Sequence, residues 1–221
     1  MIPSGPRDRS FRRFSASMNL TIPRHEAALY LAPLREGGSL PAVVETADGV
    51  KWVVKFRGAG QGPRALVAEL IVAELAEGLG LDVPERALVM LDEAFGQGER
   101  DPEIQDVLAA SRGVNVGLRY MDGAFNLDPV AIPDRVDADF ATALVWLDAF
   151  VMNPDRSARN PNVMFWDDRT WLIDHGAALY FHHDWARVTP DRLKAPLPSI
   201  RDHVLLHRAD DLTEADAGLA G

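Results

Sequence analysis

The segment "PAVVETADGVKWVVKF", residues 41–56, constrains the fold most. Asp48-Gly49 separates two apolar-rich runs, and both residues tolerate the positive φ that a tight turn needs, so a β-hairpin is predicted. With a strand period of two, Val50, Trp52, Val54 and Phe56 share one face and leave Lys51, Val53 and Lys55 on the other. Lys55 therefore points away from the bulky apolar face. After the link "GAGQGP" comes "RALVAELIVAELAEGLG", rich in Ala and Leu and closing on Gly78 and Gly80, which predicts a helix with its C-cap region. At about 100° per residue, Glu69 shares its arc with Ala65, Ala73 and Ala76, whereas Glu74 and Glu77 lie to one side. Glu69 is the acid expected to be partly buried.

The β-like pattern extends back to Tyr30, with the loop "REGGS" between a short apolar run and "PAVVET". Downstream, "VPERALVML" reads as a strand, "FGQGERDPEIQD" as a loop and short helix, and "GVNVGLRYMDG" as a strand running into a linker. The first half is thus mainly β. From Asp137 the period changes: "DADFATALVWLDAFVMN" puts Phe140, Leu144, Leu147 and Val151 on one helical face, the pattern of a buried helix. "NPDRSARNPN" follows it, and then "NVMFW", "DDRT" and "WLIDHG" read as a small hairpin with Asp174 at its outgoing end. The remainder holds helix-compatible pieces.

Composition excludes several function classes. At 221 residues and 47% hydrophobic content the chain can bury a sizeable core, in one large domain or two small lobes. A net charge of −10 argues against a nucleic-acid surface, which needs clustered Lys and Arg. The absence of cysteine excludes disulfides and thiolate metal sites and fits a cytoplasmic protein. No apolar run approaches the roughly 20 residues that span a bilayer. Residues 1–17 carry Arg7, Arg9, Arg12 and Arg13 against only Asp8, lack the apolar core of a secretory signal, and are expected to form a disordered tail. Met18, which opens the first patterned segment, is an alternative start.

Five features stand in order: Gly37, Gly38 and Ser39 in a loop; Lys55; Glu69; Asp155 with Asn160; and Asp174. This is the order of parts in a bilobal kinase. Phosphoryl transfer asks for positioning and charge neutralisation more than covalent chemistry. Glycines let backbone N–H groups approach phosphate oxygens, a lysine neutralises them, and a helical carboxylate fixes the lysine. Magnesium needs hard oxygen ligands, as an Asn amide and an Asp carboxylate provide, and the second Asp orients or accepts the proton of the attacking hydroxyl.

"NPDRSARNPN", "LIDHG", "VVKF" and "VAELIVAELAEGLGLDVP" together resemble the HipA-like kinases, relatives of the phosphatidylinositol 3/4-kinase and protein-kinase architecture. The resemblance runs from about Leu31 to His207 and rests on several separated motifs that agree. It implies an α+β bilobal fold, with a β-rich N-lobe over residues 18–121 and a mainly helical C-lobe over 122–221 that ends before the further helices such a lobe is expected to carry. It further implies Lys55 on the ATP phosphates, Glu69 as its partner, Asp155 as the catalytic aspartate, Asn160 and Asp174 as magnesium ligands, and Arg119, Tyr120 and Met121 beside the adenine. Gly37, Gly38 and Ser39 would cover the phosphates, with Ser39 open to autophosphorylation. The chain departs from related patterns at Ser157, where phosphatidylinositol kinases commonly carry His, at His175, where protein kinases carry Phe, and in having no Ala-Pro-Glu signature.

The expected activity is ATP- and Mg2+-dependent transfer of the γ-phosphoryl group to a hydroxyl, on Ser or Thr of a protein. The alternatives are a nucleotide-binding pseudokinase that regulates a partner, and a small-molecule kinase. Taken singly, each feature has a plainer reading: Asp155 and Asn160 as turn formers, Lys55 as an exposed strand lysine, Glu69 as a solvated helix charge, Asp174 as a turn cap. "GAGQG" is G-x-G-x-G and not the dinucleotide fingerprint, and reads as a strand-to-helix link. His203 and His207 lack an accompanying zinc motif, and Trp146, Trp166 and Trp171 are expected to pack in cores and hairpins.

Overall fold

The computed structural model describes residues 21–34, 40–60 and 62–219. Strands β1 (Arg24–Pro33), β2 (Ala42–Thr46), β3 (Lys51–Lys55), β4 (Arg86–Leu91) and β5 (Gly113–Arg119) close into a barrel in the order β1-β2-β3-β5-β4. Closure depends on β1. Its first residues, Arg24–Glu26, pair in parallel with Leu88–Met90, while Ala27–Pro33 pair antiparallel with β2. Two register shifts, between Ala27 and Leu29 and between Tyr30 and Ala32, bend the strand so that one element can serve both neighbours. The strand thus begins six residues before the predicted β pattern.

The Asp48-Gly49 hairpin forms as predicted. Gly49 sits at φ +79°, Gly49 N–H donates to the Thr46 carbonyl at 2.8 Å, and the Thr46 hydroxyl donates to Asp48 at 2.6 Å. Register then sorts the faces. Ala42 lies opposite Val54, and Val44 opposite Trp52, and all four are buried inside the barrel with Phe56, Ala87, Val89 and Leu91. Helix α1 (Pro63–Gly78) follows β3, and helix α2 (Pro102–Ala110), capped by Asp101, adds Ile104 and Leu108 to the barrel core.

A second core forms around α3 (Ala138–Phe150), whose N-cap Asp137 accepts from Phe140 N–H at 2.8 Å. The predicted face of Phe140, Leu144, Leu147 and Val151 is buried, and Ala141 and Val145 are buried beside it, because the helix is covered on several sides. A three-stranded sheet of β6 (Phe125–Asn126), β7 (Val163–Trp166) and β8 (Arg169–Leu172) packs here through Val163, Phe165 and Leu172. Helix α1 belongs to this core too, through Val72, Ala73 and Ala76, so residues before Met121 help to build it.

Beyond β8 the chain is less regular than a mainly helical lobe. It runs through 3-10 turns at Tyr180–Arg187, Pro198–Asp202 and Leu206–Arg208 and short helices α4 (Pro190–Leu193) and α5 (Leu212–Leu219). Pro190, Pro196 and Pro198 account for part of this, since each lacks an N–H and cannot continue a helix. The chain is therefore α+β with its sheet-rich part first. Trp166 and Trp171 pack edge to face, and Trp146 stacks on Phe150, both as packing pairs. Among the described residues no helix is long and apolar enough to cross a membrane.

One glycine reports on how tightly the barrel is filled. A Cβ on Gly117 would lie 2.8 Å from Val89 Cγ2 and 3.2 Å from Trp52 Cβ. Gly117→Val should therefore lower stability by about 1–3 kcal/mol through overpacking, measured by urea denaturation; wild-type stability in that variant would show that the barrel interior yields at this point.

Candidate functional site

Strand β3 carries Lys55 on the face opposite the barrel interior. The same face of the sheet bears Val43, Val53 and Leu118, which lie side by side in the registers of β2, β3 and β5. Lys55 Nζ is 2.7 Å from Glu69 Oε2 on α1 and 2.7 Å from Asp174 Oδ1 beyond β8. Glu69 is 1% exposed, and its Oε2 also accepts the His175 backbone N–H at 2.7 Å. Its other oxygen has no partner among the described residues. Burial alone would lower the proton affinity of Lys55, but the charges of Glu69 and Asp174 outweigh it and raise it above that of an ordinary lysine. Burial would raise the Asp174 carboxyl, and Lys55 more than reverses this and lowers it. Lys55 and Asp174 are therefore held in their charged forms.

Asp174 is a non-glycine residue at φ +56°, and Asn162 is another at φ +49°. The two are neighbours across the mouth of the β7–β8 hairpin: Ile173 N–H donates to the Asn162 carbonyl at 3.1 Å. From Asn162 the structure leads into the loop "NPDRSARNPN". The Asn162 amide donates to the Asp155 carbonyl at 2.9 Å, and Asn153 Oδ1 accepts the Asp155 N–H at 3.1 Å. Ser157 and Asn160 exchange backbone hydrogen bonds in the intervening turn. Asp155 is thus held by its backbone, while its carboxylate has no partner among the described residues. The Asn160 side chain has none either.

The loop is anchored from below on Asp148, a fully buried acid of α3. Its Oδ2 accepts from Arg156 Nε at 2.5 Å and from His203 Nε2 at 3.0 Å, and its Oδ1 accepts from Asn153 Nδ2 at 2.8 Å. His203 Nδ1 accepts the Leu205 N–H at 3.1 Å, so the ring proton sits on Nε2 and points at Asp148. Burial pushes the Asp148 carboxyl up, but Arg156 and these hydrogen bonds pull it down further, to about 2. His175 is lowered as well: burial, then the nearby Arg156 charge, bring it to about 3 and keep the imidazole neutral.

The structure brings Lys55, Glu69 and Asp174 into contact and ties the loop of Asp155 and Asn160 to the same hairpin. It places the linker residues less uniformly. Arg119 lies opposite Trp52 in the β3–β5 register, with its guanidinium 5.8 Å from that ring, so it caps the barrel mouth on the face turned away from Lys55. There it lines an open concavity of about 450 Å³ together with His25, Glu85 and Arg86. Strand alternation sets its side chain on that face. Met121 is buried, and Tyr120 N–H bonds the Lys51 carbonyl. Gly37, Gly38 and Ser39, like the tail at 1–17, lie outside the described residues.

Sequence reasoning passed over Asp148, Asn153, Arg156 and Asn162, and weighed His203 only as a zinc ligand. The readable signal was Asp148 itself, an acid within the apolar run "ALVWLDAF". Glu74 and Glu77 do lie off the Glu69 arc, and they bind Arg86 at the start of β4. Among the described residues there is no cluster of three or more His, Cys, Asp or Glu side chains able to hold a metal.

Asp148 gives an acid-sensitivity test. Its folded value lies below the ordinary 3.8, so its contribution is complete above about pH 4 and is lost as pH falls towards 2, about 2 kcal/mol in all. At pH 7, Asp148→Asn should cost about 3–5 kcal/mol by leaving Arg156 unpaired. In urea titrations the gap to wild type should narrow as pH drops from 4 towards 2. A constant gap would show that the carboxylate charge is not what the network uses.

Comparison with known proteins agrees with the resemblance noted in the motifs. No curated protein and no solved structure matches the chain. A family model described as HipA-like kinase matches residues 30–189, which include Lys55, Glu69, Asp155, Asn160 and Asp174. Since that match spans well over half of the sequence, the chain belongs to the HipA-like kinase family.

Proposed function

We propose that this kinase binds ATP against the face of β3 that carries Lys55 and transfers its γ-phosphoryl group to a hydroxyl, that of Ser or Thr on a protein. The observation that carries this reading is the Lys55 ammonium held between Glu69 and Asp174, each at 2.7 Å, beside a loop that presents the unpartnered carboxylate of Asp155. A buried ion pair used only for stability is a weak device, because desolvation offsets its attraction. Here one carboxylate is buried and the other, on Asp174, is nearly half exposed, so the site opens to solvent at Asp174 while Lys55 itself is only 11% exposed.

The row Val43, Val53 and Leu118 gives an apolar wall two residues along β3 from Lys55, about 7 Å away. That spacing suits an adenine on the wall with its phosphates running towards the lysine. Asp174 Oδ2 and the amide oxygens of Asn160 and Asn162 are hard donors, too few to cage a metal but suited to one shared with phosphate oxygens, as magnesium prefers. Bound there, the ion would offset phosphate charge. Lys55 neutralises phosphate oxygens, and Glu69 keeps it aimed. Asp155 accepts the proton of the acceptor hydroxyl as that oxygen bonds to the γ-phosphorus. The bond from the γ-phosphorus to the bridging oxygen breaks, and its electron pair leaves with ADP.

The protein acceptor follows the family resemblance, and the absence of cysteine suits a cytoplasmic setting. Asp155→Asn keeps the backbone hydrogen bonds of the loop, so Mg-ATP should still bind in calorimetric titration while transfer falls on the order of 10²-fold or more. Asp174→Asn should instead weaken Mg-dependent nucleotide binding, because it removes an anionic ligand. Wild-type transfer in Asp155→Asn would remove the proposed base. Nucleotide binding by wild type without transfer to any hydroxyl would identify a regulatory module.

The two amides are separable as well. Asn160→Ala should raise the Mg2+ concentration needed for half-maximal nucleotide binding if Asn160 is the ligand. An unchanged requirement there, with a raised one in Asn162→Ala, would move the ligand to the residue bonded to Asp155.

A further inference from the structure

Arg156 is the largest fully buried side chain among the described residues, and its guanidinium is 0% exposed. A cation taken out of water costs several kcal/mol unless its donors are used, so where those donors go shows what the residue is for. Nε donates to Asp148 Oδ2 at 2.5 Å. Nη1 donates to the Asn162 carbonyl at 2.6 Å and the Pro161 carbonyl at 3.3 Å, and Nη2 lies 3.4 Å from His175 Nδ1. Neutralising Asp148 needs only the first of these. The remaining contacts fall on the far end of the loop and on the segment after β8.

We propose that Arg156 is a positioning residue that sets the Asp155 loop against the Asp174 loop, an inference that rests on the kinase reading above. Asp155 directly precedes Arg156, and Asp174 directly precedes His175, so each aspartate is covalently joined to a group in this contact set. The carbonyl of Asn162, which takes a hydrogen bond from Nη1, also takes one from Ile173 N–H. One rigid, planar group therefore spans both loops. The C-terminal segment completes the frame: Val204 N–H donates to the Arg156 carbonyl at 3.0 Å, and His203 shares Asp148 Oδ2 with Nε. A lysine could neutralise Asp148, but its single ammonium cannot reach three directions at once as a guanidinium fork does. Because phosphoryl transfer depends on position, a displacement of about 1 Å between the two aspartates is worth on the order of 10²-fold in rate.

The test is Arg156→Lys in the full chain, followed by thermal melting, amide hydrogen exchange, Mg-ATP titration and phosphoryl transfer. Cooperative melting is expected, with faster exchange in residues 153–162 and 173–176 together. The turnover number should fall on the order of 10²-fold, with KM for Mg-ATP changed less than about threefold. Faster exchange confined to 153–162, or wild-type turnover in a folded variant, would overturn the proposal. Should Arg156→Lys fail to melt cooperatively, His203→Gln replaces it: paired loosening of both segments supports the frame, and loosening limited to residues 203–206 overturns it. If wild type neither binds Mg-ATP nor transfers phosphate, the kinase reading fails on its own, and the exchange experiment still decides whether Arg156 couples the two loops.

Discussion

A carboxylate with almost no exposure to water sits at the meeting point of this structure, and it is tolerable only because Lys55 and the His175 backbone N–H both meet its Oε2. Glu69 thereby joins elements far apart in sequence: a barrel strand, the helix that follows it, and the segment beyond the last hairpin. Without the lysine, α1 would place an unpaired charge against alanines and a second core. That requirement fixes the rotation of α1 about its axis, and with it which residues reach the α3 core. Val72, Ala73 and Ala76 pack there because Glu69 must face Lys55.

The barrel serves this arrangement through strand alternation. Trp52, Val54 and Phe56 fill its interior, so Lys55 and Val53 have to face outward, towards α1 and the hairpin. The bulged first strand closes the barrel and leaves fewer exposed edges. A closed, tightly filled barrel holds its strands in register, and register is what keeps the lysine 2.7 Å from both carboxylates. The same alternation explains why Arg119 belongs to the barrel mouth, at the end of a seven-residue strand whose opposite face carries Val116 and Leu118.

A second buried charge organises the other half. Asp148 is held ionised by Arg156 and draws Asn153 and His203 onto the same carboxylate. Hydrogen bonds of this kind are strong and directional where water is excluded. They hold the backbone on both sides of Asp155 and leave its own side chain unengaged. An aspartate used only to form a turn would instead accept hydrogen bonds from its neighbours. The left-handed backbone at Asn162 and Asp174 is the local cost of bringing the hairpin mouth to this loop.

How much of this was legible in the sequence follows from the range of the interactions involved. The Asp48-Gly49 turn, the alternation that turns Lys55 outward, the alanine arc around Glu69 and the buried face of α3 are local patterns, and local steric and solvation rules determine them. The ordered motifs carried the family for the same reason: each is a short run whose residue types imply a chemistry. Barrel closure was not legible, because it pairs Arg24 with Leu88 in parallel and no short window contains both. Nor was the frame beneath the loop, which joins Asp148 and Arg156 to His203, 55 and 47 residues away in the chain. Residue types and their local spacing settle which groups must be buried or paired. Packing settles with whom, because in a dry interior the partner of a charge is whichever opposite charge the fold brings within hydrogen-bond distance.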